Sequence, residues 1–124
     1  MRAADDPFGY ADALGPEKVV FLHDAAAGLR AIVVVDSTAC GPAIGGARMA
    51  PDVSLEECFR LARAMTFKNS AAGLPHGGGK SVIFADAKMP VEAKQSLVRA
   101  FARAIRSLDD YIVGPDMGTD ERCM

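Results

Sequence analysis

The sequence has little cysteine, no tryptophan and no excess of positive charge. Cys40, Cys58 and Cys123 form no Cys-x-x-Cys pair, which argues against a disulfide framework and a zinc site. Fourteen Lys and Arg against sixteen Asp and Glu leave a net charge of -2, which disfavours a nucleic-acid or anionic-membrane partner. No run of about 18 uncharged apolar residues occurs, and the start, Met-Arg-Ala-Ala-Asp-Asp, is unlike an export signal. We therefore expect a soluble cytoplasmic protein without a metal site.

Two familiar nucleotide-binding motifs are also absent. The segment Gly77-Gly-Gly-Lys-Ser81 has the composition of a phosphate-binding loop, but the spacing of that motif requires a glycine where Leu74 stands. The dinucleotide fingerprint Gly-x-Gly-x-x-Gly does not occur either. We therefore predict no cofactor-binding residue in this chain and no Rossmann domain.

Half of the 124 residues are apolar, enough for one domain spanning residues 1–124. Two β-branched runs, residues 19–23 and 29–35, predict an N-terminal hairpin, and residues 45–49 are a further candidate strand. The capping-box pattern from Ser54 predicts a helix over residues 55–72, and Pro90 is predicted as the first residue of a second helix. The glycine-rich residues 73–79 predict a loop, and the apolar runs 81–84 and 111–113 predict one strand after each helix. This alternation is typical of a three-layer α/β/α domain with a mostly parallel sheet.

Three polar side chains occur in apolar or glycine-rich settings: Lys68, Lys80 and Asp116. Burial and a second nearby cation both lower the pKa of a lysine, so that its amine can exchange protons near neutrality. A carboxylate beside it could complete a proton-transfer pair. In the alternative reading, both lysines extend to the surface and Asp116 only caps a helix that begins near Thr119. The spacing of the residues leaves both readings open.

Several motifs resemble one family in order and spacing. They are Gly41-Pro-Ala-Ile-Gly-Gly-Ala-Arg-Met49, Met65-Thr-Phe-Lys-Asn69, Ala72-Gly-Leu74, Gly77-Gly-Gly-Lys80 and Pro115-Asp-Met-Gly118. The stretch is similar to the N-terminal, substrate-binding and oligomerising domain of the glutamate/leucine/phenylalanine/valine dehydrogenases, closest to the leucine/phenylalanine branch. The resemblance implies reversible oxidative deamination of an L-amino acid, with NAD or NADP as the cofactor of the full-length enzyme.

The resemblance also implies roles for particular residues. Lys80 would be the catalytic amine, Asp116 would exchange protons with the substrate amino group, and Lys68 would bind the α-carboxylate. Gly45 and Gly46 would let the backbone approach the substrate.

The substrate side chain is the least determined part of the resemblance. Glutamate enzymes of the family carry a lysine where this chain has Ile44, so an aliphatic wall with Met65 beside it implies a branched-chain or aromatic substrate. A buried carboxylate without a partner would cost several kcal/mol there. Glutamate dehydrogenase remains the alternative, because residues 115–119 look more like the glutamate branch. A non-catalytic oligomerisation or binding module is a second alternative.

The resemblance further implies a homodimer or larger homo-oligomer. The opening hairpin of the family pairs across subunits, and residues 29–35 are predicted to form an exposed apolar edge that needs covering. Family members continue into a nucleotide-binding domain. We therefore expect this chain to be part of a longer enzyme and to be inactive alone.

Overall fold

A computed structural model describes residues 6–115 and shows a five-stranded sheet with one helix on each face. The spatial strand order is β1-β2-β4-β3-β5, with α1 packed on one face and α2 on the other. The elements are β1 (Lys18–Asp24), β2 (Leu29–Ser37), β3 (Ala43–Ala50), α1 (Leu55–Ala71), β4 (Gly77–Phe84), α2 (Val91–Ile105) and β5 (Tyr111–Pro115). The predicted three-layer α/β/α architecture is confirmed.

The sheet is mixed. The strands joined through helices are parallel, since β3 pairs in parallel with β4 and with β5. The hairpin makes β1 antiparallel to β2, and β2 is also antiparallel to β4. The parallel character expected for most of the sheet is therefore limited to its β4-β3-β5 half. The prediction that residues 29–35 form an exposed edge is wrong, because β2 lies between β1 and β4.

Both helices begin close to the predicted positions. The Ser54 side chain accepts a hydrogen bond from the Glu57 backbone N–H at 3.1 Å, which is the cap expected from the sequence. Pro90 caps α2 with an extended ψ of 140°, so it lies one position before the first helical residue instead of occupying it. No helix within residues 6–115 is long and apolar enough to cross a membrane.

The loop predicted over residues 73–79 is wrong in its second half, because β4 begins at Gly77. The glycines there allow close packing of a regular strand. A Cβ at Gly77 would lie 1.6 Å from the backbone oxygen of Ser37, and one at Gly78 would lie 2.1 Å from the backbone nitrogen of Thr66. Only a strand without side chains at these positions fits between β2 and α1.

Two apolar clusters hold the helices on the sheet. The cluster under α2 is the larger one and includes Leu29, Val33, Met49, Ile83 and Phe101 among its buried members. The cluster under α1 has six buried members: Ile32, Val34, Val53, Cys58, Ala62 and Val82. The smaller cluster leaves room for polar groups on the α1 face of the sheet.

Candidate functional site

The Lys80 side chain is deeply buried, with an exposed fraction of 6%. It lies in the middle of β4, and its alternation with Val82 places it on the face covered by α1. Burial lowers the pKa of Lys80, and the nearby positive charges of Arg48 and Lys68 lower it further. The structure thus puts this amine in surroundings that favour its neutral, proton-accepting form.

Lys68 and Met65 lie near the C-terminal end of α1, one turn apart on the helix. Lys68 is exposed and Met65 is partly buried. The positive charge of Lys68 contributes to the lowered pKa of Lys80 on the facing strand. The Asn69 side chain donates a hydrogen bond to the Gly77 carbonyl at 2.7 Å, which fixes this end of α1 over the start of β4.

The predicted substrate-binding residues of β3 do not all face the same way. Ile44 is the Cα partner of Gly78, so it lies on the sheet face that also carries Lys80, and Gly46 follows on that same face. Gly45 alternates with them, and a Cβ there would lie 1.6 Å from the Gly79 carbonyl oxygen. Close contact between β3 and β4 therefore explains the glycine at this position. The approach of its backbone to a substrate stays a prediction.

Asp116 lies outside the described residues. It follows Pro115, the last residue of β5, and β5 runs parallel to β3 at the edge of the sheet. The described part of the site therefore consists of two lysines, one partly buried methionine, Ile44 and the glycines of β3.

Sequence reasoning missed a buried ionic network beside the site. Asp36 is fully buried at the end of β2 and accepts hydrogen bonds from Arg63 Nε at 2.7 Å and from Thr66 Oγ1 at 2.7 Å. Arg63 also pairs with Asp12 through two hydrogen bonds of 2.7 and 2.8 Å. The only sequence signal was an arginine and a threonine three residues apart on one helix face. The network fastens α1 to β2 and so fixes its position over β4.

A second missed contact lies on the opposite face of β4. The side-chain oxygens of Ser81 and Tyr111 are 2.6 Å apart, and both groups are buried. The tyrosine O–H also lies 3.4 Å from the Gly45 carbonyl, which it can reach as a donor. Burial raises the pKa of Tyr111 above its usual range, so the group is a neutral structural partner. It connects β5 to β4 and β3 directly beneath the glycines.

Within residues 6–115, no cluster of three or more His, Cys, Asp or Glu side chains could hold a metal ion. The described residues define an α/β domain with a buried amine on a glycine-rich strand. This class of site suits proton transfer on a small substrate.

Comparison with known proteins identifies the family. The family model described as "Glu/Leu/Phe/Val dehydrogenase, dimerisation domain" matches residues 16–124. The chain belongs to this family, as the sequence motifs implied.

Relatives and solved structures agree with this assignment. The chain is 43% identical over 117 residues to leucine dehydrogenase from Geobacillus stearothermophilus, covering 90% of this chain and 31% of the relative. L-tryptophan dehydrogenase from Nostoc punctiforme matches with a TM-score of 0.79 and 34% identity over 89% of this chain and 34% of that one. The hetero-hexameric glutamate dehydrogenase from Thermus thermophilus, in its Leu-bound form, matches with a TM-score of 0.79 and 33% identity over 87% of this chain and 29% of that one. The chain spans about a third of the length of the curated relatives it matches.

Proposed function

We propose that this chain forms the substrate-binding part of an NAD(P)-dependent L-amino-acid dehydrogenase that deaminates apolar amino acids to 2-oxo acids and ammonia. The observation that carries the proposal is Lys80: an amine exposed by only 6%, with a lowered pKa, in the motif Gly77-Gly-Gly-Lys80 that resembles the family. A solvated surface lysine would have neither property.

The proposed mechanism assigns one task to each polar group. Lys68, exposed at the end of α1, binds the substrate α-carboxylate. Lys80, as a neutral amine, takes a proton from the water that adds to the iminium carbon of the substrate. Asp116 gives a proton to the departing nitrogen.

The cofactor is proposed for the full-length enzyme only. When bound there, a nicotinamide accepts hydride from the substrate Cα. The sequence contains no dinucleotide fingerprint, so we assign no residue of this chain to cofactor binding. Hydride transfer requires the two reactants in contact, and we therefore propose that the chain alone is inactive.

The proposed substrate preference rests on Ile44. This side chain is partly buried on the Lys80 face of β3, and its Cα partner in β5 is Ile112, a second isoleucine on the same face. A substrate carboxylate packed against these two apolar side chains would gain no hydrogen-bonding or charged partner from them. The similarity to a leucine dehydrogenase supports an apolar substrate, whereas the glutamate dehydrogenase shares the fold and keeps glutamate as the alternative.

We further propose that the chain assembles as a homodimer or larger homo-oligomer. The matching family model describes a dimerisation domain. The edge strand β1 carries Phe21, whose exposed fraction is 69%, and an exposed aromatic side chain on a sheet edge favours pairing with another copy. A cytoplasmic location is proposed with it, since Cys40 and Cys58 are free thiols.

The test is a chimera that joins this chain to the nucleotide-binding part of the leucine dehydrogenase relative. Reduction of NAD is measured with leucine, valine, phenylalanine and glutamate side by side. We expect turnover with the apolar substrates, its loss in Lys80→Ala, and a shift toward glutamate in Ile44→Lys. Ile44→Met, which keeps the wall apolar, is the control and should retain the preference. A preference of the unaltered chimera for glutamate would overturn the substrate assignment, and assembly without turnover would favour a non-catalytic module.

A further inference from the structure

Arg48 lies next to Lys80 on the sheet. Its Cα partner in the parallel β3–β4 pair is Val82, two residues beyond Lys80 on the same strand face. Diagonal neighbours on adjacent strands are about 7–8 Å apart, within reach of long side chains. The Arg48 side chain is only 22% exposed, so its guanidinium lies in the same half-enclosed space under α1 as the amine.

A residue of α1 holds the guanidinium there. Arg48 Nη1 lies 3.7 Å from Glu57 Oε1, and the Glu57 side chain is 33% exposed. Glu57 belongs to the first turn of α1, whose start is fixed by the Ser54 cap. The ion pair thus joins the start of α1 to the C-terminal half of β3. A guanidinium stays charged at every ordinary pH, so this position carries a permanent cation.

We propose that Arg48 is a positioning residue which, held by Glu57, keeps a permanent positive charge beside the Lys80 amine. The inference rests on the proposed role of Lys80 as the base and adds a residue to which no role had been assigned. A fixed cation disfavours a second positive charge nearby, so Arg48 reinforces the effect of burial on the lysine. After burial, the charge of Arg48 is the largest influence that lowers the pKa of Lys80.

The other ionisable groups facing Lys80 act in both directions. On α1, the negative charge of Glu57 raises its pKa, while Lys68 lowers it less than Arg48 does. Burial raises the pKa of the Cys58 thiol to about 12, so that group is neutral at ordinary pH. On β2, Asp36 faces the same side but is engaged by Arg63 and Thr66. The described residues of β5 on this face, Ile112 and Gly114, carry no charge.

The experiment is an NMR titration of the lysine side chains in the complete 124-residue chain, with Lys80 assigned by its missing signal in Lys80→Gln. We expect Arg48→Gln to raise the pKa of Lys80, and Arg48→Lys, which keeps a positive charge, to stay near the unaltered chain. Lys68→Gln should raise the pKa by less than Arg48→Gln. If the role of Arg48 were purely structural, Arg48→Lys and Arg48→Gln would have the same effect on the Lys80 pKa.

A second variant covers the case in which Arg48→Gln does not fold. Arg48→Met removes the charge but keeps a long side chain, and it should also raise the pKa of Lys80. The inference is overturned if a folded Arg48→Gln or Arg48→Met chain leaves the Lys80 titration unchanged, or if Arg48→Lys behaves like Arg48→Gln. The Lys80 pKa could respond to the charge at Arg48 while the chimera shows no turnover. This combination of results would support the inference and contradict the proposed function.

Discussion

The two faces of the sheet are built for different purposes from the same strands. On the α2 face, the core is almost entirely apolar, and a buried polar pair joins Ser81 to Tyr111. On the α1 face, a smaller apolar cluster shares the surface with the buried Lys80, the buried Asp36 and the partly buried Arg48. Burying apolar area stabilises the fold, whereas burying charged groups costs free energy unless they are paired. The α2 face therefore provides stability, and the α1 face can keep the Lys80 amine in surroundings that disfavour its charged form.

Strand β4 shows this division residue by residue. Lys80 and Val82 point toward α1, while Ser81 and Ile83 point toward α2. Because side chains alternate along a strand, adjacent positions belong to different environments. The lysine is thus held by a backbone whose other side is anchored in the larger core.

The largest expected effect comes from damaging the α2 face. Phe101 is fully buried in its cluster, so Phe101→Ala should leave a cavity and lower the free energy of unfolding by about 3–5 kcal/mol. Denaturant unfolding measures the loss. The Lys80 pKa should stay unchanged in the folded fraction, because the phenylalanine lies on the opposite face.

The control for this variant is Val91→Ala in the first turn of the same helix, where the side chain is 69% exposed. It should change stability by no more than about 0.5 kcal/mol. A Phe101→Ala variant that unfolds like the Val91→Ala variant would contradict the view that the α2 face provides the stability.

A smaller loss of stability is expected from alanine substitutions at Gly78 and Gly79, two neighbouring positions that face opposite sides of the sheet. A Cβ at Gly78 would meet the backbone of Thr66 at 2.1 Å, so Gly78→Ala must push α1 away from the sheet. A Cβ at Gly79 would meet the ring of Tyr111 at 2.8 Å, and a side-chain ring can move more easily than a helix backbone. We expect a loss of about 1–3 kcal/mol or more for Gly78→Ala and a smaller loss for Gly79→Ala.

The same pair of variants tests the site. Gly78→Ala should also raise the Lys80 pKa, because lifting α1 lets water reach the amine, whereas Gly79→Ala should leave that titration in place. Both quantities come from one titration series combined with denaturant unfolding. Equal losses of stability in the two variants, with no change at Lys80, would show that α1 tolerates the displacement.

The glycines at the start of β4 are also the part of the fold that the sequence did not predict correctly. Hydrophobic periodicity and the Ser54 cap were sufficient for both helices and for the strands, because those signals are local. The role of Gly77 in a regular strand could not be read locally, because it depends on Ser37, forty positions away in sequence and adjacent in space. Local composition alone made the segment resemble a loop.

The candidate site likewise has one part that the sequence indicated and one part that it did not. Lys80 stood out because a charged residue opens an otherwise apolar run, but that pattern left its burial open, and the structure places it inside β4 with an exposed fraction of 6%. The pairing of Asp36 with Arg63 spans 27 residues, and that of Arg63 with Asp12 spans 51, so neither leaves a periodic signal. Long-range pairing, more than residue type, is what the sequence leaves undetermined.

The smallest expected effect concerns the outer end of this network and depends on pH. The hydrogen bonds from Arg63 lower the pKa of Asp12 to about 2, below the value of about 3.9 expected in the unfolded chain. A carboxylate with a lowered pKa in the folded state stabilises the fold above about pH 4, and this contribution disappears as the pH falls toward 2. Asp12→Asn should therefore reduce the dependence of the unfolding free energy on pH within that window. The measurement is denaturant unfolding at a series of acidic pH values.

Since Asp12 is half exposed, salt at about 1 M should screen the Asp12–Arg63 pair and bring the pH profile of the unaltered chain closer to that of Asp12→Asn. Identical pH profiles for both chains at low salt would show that the Asp12–Arg63 pair contributes nothing measurable, and that Arg63 fastens α1 to the sheet through the fully buried Asp36.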